Sequence, residues 1–323
     1  MKKEKKDKNI IFINVLIVSI MVAVGVMLLH PWVKTIQLND ALYEEQTYLA
    51  SIHIEEVWKV GIRGKDVKIA VIDTGVNAHD DLNAERITGK SYVDEEESNY
   101  ADSQGHGTFI VGLLAAEQGN EIGISGMTDS EIVVMKVVGD KPHIGIEHVS
   151  RAIYDAVDMG CSVINISMGT PNENEKLKAA IDYALSENVI IIAAVGGDEK
   201  NSYYPAIYEG VVGVDALTAD LEPTKNAVRN ESVFVTAPGE KIIGLSSNGG
   251  YERGGAGASY AAAQVTAFAA YAKQVQPDIS PWSFMELLKE SVLDKGDEGY
   301  DTTFGWGVIN AGSFVSALTA MGK

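Results

Sequence analysis

Residues 67–73 read Val-Lys-Ile-Ala-Val-Ile-Asp, and the chain then breaks at Thr74-Gly75. A short run that is apolar almost throughout and rich in β-branched residues, closed by a polar residue and a glycine, predicts a sheet strand buried on both faces. Asp73 would stand at its carboxyl end. Three further runs of the same kind follow at 131–138 (Glu-Ile-Val-Val-Met-Lys-Val-Val), 162–168 (Ser-Val-Ile-Asn-Ile-Ser-Met) and 189–195 (Val-Ile-Ile-Ile-Ala-Ala-Val). Segments of helical spacing alternate with them. His106 opens one; 148–160 carries Val149, Ile153, Ala156 and Val157 on one face, and 173–188 carries Leu177, Ala180, Ile181 and Leu185. Ser259 begins a small-residue stretch over 259–272 that is apolar on most sides and therefore predicts a buried helix. This alternation predicts an α/β fold, a three-layer, doubly wound, mostly parallel sheet. Past residue 46 there is no internal repeat, low-complexity tract or second domain boundary.

Outward from Asp73, three short stretches carry chemistry: Val-Ile-Asp-Thr-Gly-Val at 71–76, Asp-Ser-Gln-Gly-His-Gly-Thr at 102–108, and Gly-Ala-Gly-Ala-Ser-Tyr-Ala at 255–261. They supply an acid, a base and a nucleophile in the chain order Asp73, His106, Ser259. Unrelated folds that use these groups order them differently: His, Asp, Ser in chymotrypsin, Ser, acid, His in the α/β-hydrolases, and Asp, His, Ser in subtilisin. A lone Asp-Thr-Gly also suits an aspartic protease, but that mechanism needs two facing carboxylates and the chain has one copy. A lone Gly-x-Ser-x-Ala is common. Taken together, with their flanking glycines and small residues, the stretches make residues 46–323 resemble the subtilisin-like serine proteases. Phe-Gly-Trp-Gly-Val-Ile-Asn-Ala at 304–311 resembles that domain's closing segment.

The resemblance implies a serine endopeptidase. Ser259 would attack the peptide carbonyl, His106 would take its proton, and Asp73 would hold the imidazole. Peptide or protein substrate would add as a strand along Ser167, Met168 and Gly169, with residues 140–144 as the opposite wall. Tyr204-Pro205 matches the Tyr-Pro beside the specificity pocket, where the peptide bond is typically cis. Tyr203 stands where family members often carry a small residue; it would narrow the pocket or simply lie on the surface. A structural calcium site is implied from Gln46, Asp81, Asn120, Ile122 and Ile124, all oxygen ligation as that hard cation requires, the other reading being an acidic loop that binds nothing. No organic cofactor is implied. The chain also departs from the pattern. Gly197 replaces the Asn that donates to the oxyanion, and Ala258 replaces the Thr before the nucleophile. The Ser259 backbone N–H remains. Ala263-Gln264 stands where Pro-His is usual. Removing one such oxyanion donor costs about 10²- to 10³-fold in turnover. Two readings follow: a divergent, membrane-tethered endopeptidase, slow or dedicated to maturing exported peptides, and a catalytically silent subtilisin fold that binds peptides or acts as a scaffold.

Composition bounds the rest. A chain of 323 residues with 46% hydrophobic content holds one large domain and an appendage. A formal charge of -19 excludes a general nucleic-acid binder, which must neutralise phosphates. The single cysteine, Cys161, lies in an apolar run and reads as a small buried hydrophobe. His143 and His148 lie five apart, where zinc helices need four, so they are not read as ligands. Residues 1–9 form a basic tail. The run from residue 10 to 32 is apolar up to Leu29 apart from Asn14, Ser19 and Gly25, spans roughly 30 Å as a helix, and ends at Pro31-Trp32. It predicts a signal anchor in the bilayer of the cell membrane, with the lysine-flanked N-terminus cytoplasmic and the rest extracytoplasmic. The competing cleaved signal peptide has a shorter apolar region and a small-residue cleavage site. Residues 33–45 read as a linker, too short for a folding prodomain, and 46–323 as the peptidase domain.

Overall fold

The computed structural model describes residues 38–94, 96–140, 145–196 and 203–321. Among them seven strands form one parallel sheet: β1 (Lys68–Asp73), β2 (Ile87–Ser91), β3 (Glu131–Lys136), β4 (Val163–Ile166), β5 (Ile190–Ala194), β6 (Val211–Leu217) and β7 (Val235–Pro238), in the order β2-β3-β1-β4-β5-β6-β7. A small antiparallel hairpin, β8 (Ile243–Leu245) and β9 (Tyr251–Arg253), stands apart. The predicted doubly wound sheet is present, and its central strands are buried as the apolar runs require: every residue of β4 and β5 is buried.

The helices are α1 (Thr47–Ser51), α2 (Glu55–Lys59), α3 (His106–Ala115), α4 (Ile146–Asp158), α5 (Glu175–Ser186), α6 (Ala258–Val275), α7 (Pro281–Ser291) and α8 (Ala311–Met321). α4 packs with α5 on one side of the sheet, while α3 and α6 pack together on the other. All four helices expected from spacing exist. Their starts are set by local chemistry: α5 begins after Asn174, whose side chain accepts the free N–H groups of Lys176 and Leu177. α6 is buried nearly all round, because its alanines let it lie against β4, β5, β6 and β7 at once. Phe268 packs on Phe314 of α8 (ring centroids 4.8 Å), and the Tyr271 hydroxyl accepts the Trp58 indole N–H (3.3 Å). Cys161 is buried, and that burial pushes its thiol up to about 12, so it is an inert packing residue.

β1 lies between β3 and β4, so the chain winds away from it in both directions. In an open parallel sheet this switch point leaves a crevice beyond the carboxyl ends of the strands, where ligands bind. Asp73 is the last residue of β1.

Packing against this body begins before residue 46. The Leu42 N–H donates to the Gly123 carbonyl (2.7 Å), and the buried Asp40 carboxylate accepts from the N–H groups of Gly119 and Asn120 and from the Ser125 hydroxyl. Among the described residues no helix is long and apolar enough to cross a membrane. The expected tail at 1–9 and anchor at 10–32 lie outside the described residues.

Candidate active site

Asp73 is fully buried where β1 ends, and its Oδ1 accepts both the Thr74 N–H (2.8 Å) and the His106 Nδ1–H (2.7 Å). Oδ2 is buried without a partner. His106 is the first residue of α3, with its ring about one-third exposed at the crevice. The Asp73 charge is the largest influence on the imidazole and raises its pKa; burial opposes it, and the Asp73 hydrogen bond and the Asp102 charge add to the rise.

A second carboxylate, which the sequence reading did not single out, fixes this pair. Asp102 is buried and accepts five bonds: from the Thr74 hydroxyl (2.9 Å), from the N–H groups of Gln104 (3.0 Å), Gly105 (2.8 Å) and Thr108 (2.8 Å), and from the Thr108 hydroxyl (2.7 Å). Burial works against its charge, but the bonds from Thr108, Gly105 and Gln104 outweigh that and leave its pKa below the ordinary aspartate value. Thr74 in turn accepts the Gly107 N–H (2.8 Å), joining the end of β1 to the first turn of α3. That joint requires glycine at 107, since a Cβ there would enter the Gly75 carbonyl oxygen. Asp102 and Thr108 both lie in the quoted stretch around His106, but the bond from Thr74 that ties the carboxylate to the end of β1 joins segments far apart in the chain, and no spacing signals it.

Ser259 lies in the first turn of α6, and its hydroxyl donates to the Ser167 carbonyl (3.2 Å) rather than to His106. Bonds between nucleophile and base are often long or misaligned without substrate. Tyr260, its neighbour, lays its ring against Phe109 (centroids 4.7 Å) and His106 (6.3 Å, planes 28° apart). The structure thus brings Asp73, His106, Ser259 and Ser167 to one edge of the sheet. Asn165 ties the floor together, donating to the Ser167 hydroxyl (2.9 Å) and accepting from Thr266 of α6 (3.0 Å).

Met168 and Gly169 continue from Ser167 past the end of β4. Thr170 pairs with Tyr204 through two backbone bonds (2.8 and 3.0 Å), and the Tyr204-Pro205 bond is cis. Gly197 and residues 141–144, including His143, lie outside the described residues.

The five expected calcium residues do gather, around Asp81 and Ser125. The Asp81 carboxylate is buried; it accepts from the Asn120 side chain (2.9 Å), the Ile124 N–H (2.9 Å) and the Tyr251 hydroxyl (3.3 Å). Ile122 donates its N–H to the Asn120 Oδ1 (2.9 Å). Gln46 stands apart from Asp81 in its bonding: its amide bonds the Ser125 backbone in both directions (2.6 and 3.0 Å). Among the described residues no three His, Cys, Asp or Glu side chains cluster to hold a metal.

An acid bonded to an imidazole, with a serine at a helix start beside it, all at the switch point of a doubly wound sheet, is the arrangement of a serine-type peptidase. The chain belongs to the subtilase family, whose sequence profile matches residues 64–307. It is 31% identical to the minor extracellular protease Epr of Bacillus subtilis over 268 residues, 82% of this chain and 41% of Epr. It is 32% identical to the major intracellular serine protease of the same organism over 279 residues, 83% of this chain and 85% of that one. Subtilisin BL of Lederbergia lenta is 31% identical over 253 residues, 78% of this chain and 91% of the subtilisin. A solved protease structure from Pseudoalteromonas arctica shares the fold, with a TM-score of 0.78 and 24% identity over 87% of this chain and 99% of that one.

The Asp73–His106 geometry sets the sign of a pH effect. A raised pKa means the folded chain holds the imidazolium more tightly than the neutral ring. The stabilisation is therefore complete below the ordinary value of 6.5 and is lost as pH rises through the higher folded value. In an NMR titration of the ring nitrogens, His106 is expected to titrate above 6.5 and to fall clearly lower in Asp73→Asn. An unshifted midpoint in that variant would refute the assignment of the rise to the Asp73 charge.

Proposed function

We propose that the chain is a serine endopeptidase working through Asp73, His106 and Ser259, held at a membrane by residues 10–32 with its catalytic domain outside the cytoplasm. The observation that carries this reading is the 2.7 Å bond between a buried Asp73 and a His106 ring one-third exposed, with Ser259 starting the adjoining helix. In this mechanism the neutral His106 ring takes the Ser259 proton as Oγ attacks the peptide carbonyl, and Asp73 holds the Nδ1–H tautomer and stabilises the imidazolium. His106 then returns the proton to the leaving amine, and water repeats the cycle on the acyl-enzyme. The oxyanion is left with the Ser259 backbone N–H, because Gly197 and Ala258 bring no side-chain donor. Slow turnover suits a dedicated role in maturing exported peptides. Ser167, Met168 and Gly169 form the strand on which substrate lies, beside Tyr203, Tyr204 and Pro205.

One feature favours the silent peptide-binding reading, namely that the Ser259 hydroxyl is turned to the Ser167 carbonyl. Labelling with a fluorophosphonate separates the two. Detergent-solubilised protein is expected to label and Ser259→Ala to remain blank. On intact cells a membrane-impermeant probe is expected to reach the same serine. A folded wild type that stays blank defeats the endopeptidase reading, and labelling confined to broken cells defeats the topology.

The missing donors give a second test. Gly197→Asn is expected to raise kcat roughly ten- to a hundredfold with KM little changed, since the oxyanion forms only near the transition state. A wild type as fast as its subtilisin relatives, with no gain in the variant, would mean that another group fills the role.

Calcium at the Asp81 loop is part of the same proposal. Burial raises the Asp81 pKa first, with the nearby Asp40 charge adding, and a cation would relieve both. Asp81, the side-chain oxygens of Gln46 and Asn120, and the Ile122 and Ile124 carbonyls would hold it. Binding would require Asn120 to present its amide oxygen where its nitrogen now faces Asp81. Tm is expected to be higher in millimolar calcium than in chelator, by mass action on the folded state. Equal values would leave the loop closed by its own hydrogen bonds.

A further inference from the structure

β4 and β5 run parallel with Ile166 opposite Ala193, and three residues further along each strand path the chain places a glycine, Gly169 on one and Gly196 on the other. These glycines do not continue the ladder. The side chain of Tyr203 stands between them. A Cβ built on Gly196 would lie 2.8 to 3.2 Å from three atoms of the Tyr203 ring, and one on Gly169 would lie 3.1 Å from the Tyr203 Cβ and 3.6 Å from its Cδ1. Any side chain at 196 would displace the ring. At 169 it would press on the root of the same side chain and, at 3.0 Å, on the Tyr204 carbonyl.

Tyr203 is held in this slot from its own backbone. Tyr204 pairs with Thr170 through both backbone bonds, so residues 203–204 run extended beside the strand that leaves β4. Extended neighbours point to opposite sides. The Tyr204 ring packs on Tyr208 (centroids 4.8 Å), and Tyr203 accordingly faces the glycines. The slot adjoins the reacting centre: Gly169 is two residues past Ser167, roughly 7 Å along an extended chain, and the Ser167 carbonyl touches the Ser259 hydroxyl.

We propose that the Tyr203 ring occupies the pocket for the substrate residue on the acyl side of the cleaved bond, so that the enzyme cuts after small residues and excludes large apolar and aromatic ones. This rests on the endopeptidase reading, in which substrate lies along Ser167, Met168 and Gly169. A substrate side chain entering between Gly169 and Gly196 meets the tyrosine ring already stacked there. Alanine or glycine needs no room in the slot, whereas phenylalanine would have to expel a ring of its own size.

The test uses quenched-fluorescence peptides that differ only in the residue before the cleaved bond, alanine against phenylalanine, with wild type, Tyr203→Gly and Tyr203→Phe. Wild type is expected to favour alanine by roughly tenfold or more in kcat/KM. Tyr203→Gly should raise the phenylalanine value relative to alanine by roughly tenfold or more, and Tyr203→Phe should keep the wild-type preference because it keeps the ring. A wild type that accepts phenylalanine as well as alanine, or a ratio unmoved in Tyr203→Gly, overturns the proposal. Binding of product peptides ending in alanine or phenylalanine to Ser259→Ala, with and without Tyr203→Gly, reads the pocket independently of chemistry. If nothing is hydrolysed but the phenylalanine peptide binds only once Tyr203 is replaced, the endopeptidase reading falls and the pocket assignment stands. If it binds equally with Tyr203 in place, the pocket assignment falls.

Discussion

A carboxylate with no exposed surface, set at the end of β1, is the constraint on which the rest of the site depends. Withdrawing an ionised carboxylate from water costs several kcal/mol even after relaxation, so its surroundings must supply donors. Asp73 receives two, the Thr74 N–H and the His106 imidazole, both on one oxygen. The imidazole is therefore half of what compensates the buried charge, and its position must be fixed as firmly as that of the strand. Asp102 provides the fixing: its five donors come from Thr74 beside Asp73 and from the loop and first turn that carry His106. Strand end and helix start become one unit, and glycine at 107 lets them close to contact distance.

The sheet was legible in the sequence because strands buried on both faces leave near-continuous apolar runs, as in Ile190–Ala194. β6 was less legible, since Gly213 and Asp215 interrupt its run. Asp215 is nonetheless buried there, its carboxylate taking the N–H groups of Ala216 and Val228, and burial raises its pKa to about 6. The family was legible because the order of the stretches around Asp73, His106 and Ser259 and their flanking residues are informative together. The function of Asp102 and the direction of the Tyr203 ring were not. Both depend on which side chains meet across distant segments, Thr74 with Asp102 and Gly196 with Tyr203, and spacing along the chain does not encode such meetings. The bonds of the Gln46 amide to the Ser125 backbone were not legible either, for the same reason.

The helix that carries Ser259 absorbs two of the chain's departures from its family. Gln264 lies where a histidine is usual, and its side-chain nitrogen donates to the Pro238 carbonyl at the end of β7 and to the Tyr260 carbonyl one turn back. Thr266 donates to Asn165 across the floor of the site. Both are buried, and the Gln264 nitrogen and the Thr266 hydroxyl are the atoms that find partners. They moor the helix at the carboxyl ends of β7 and β4, and the position of Ser259 relative to Ser167 follows from those moorings. Ala263, in the usual proline's place, leaves the helix regular through this turn.

The departures therefore divide by the step they touch. In the proposed mechanism Gly197 and Ala258 would act on the charge that develops in the transition state, and Tyr203 would act on which side chain can approach. The proton-handling side of the site has no comparable loss: Asp73, Thr74, Asp102, His106 and Thr108 form a closed set of hydrogen bonds around one imidazole. A protein that only bound peptides would need the strand at 167–169 and a groove beside it. It would not need the bond between the buried Asp73 and the His106 ring, which in the proposed mechanism orients the base. That bond, a position 197 that brings no side-chain donor and a Tyr203 ring beside Gly169 and Gly196 are together what the proposed slow cleavage of restricted substrates would require.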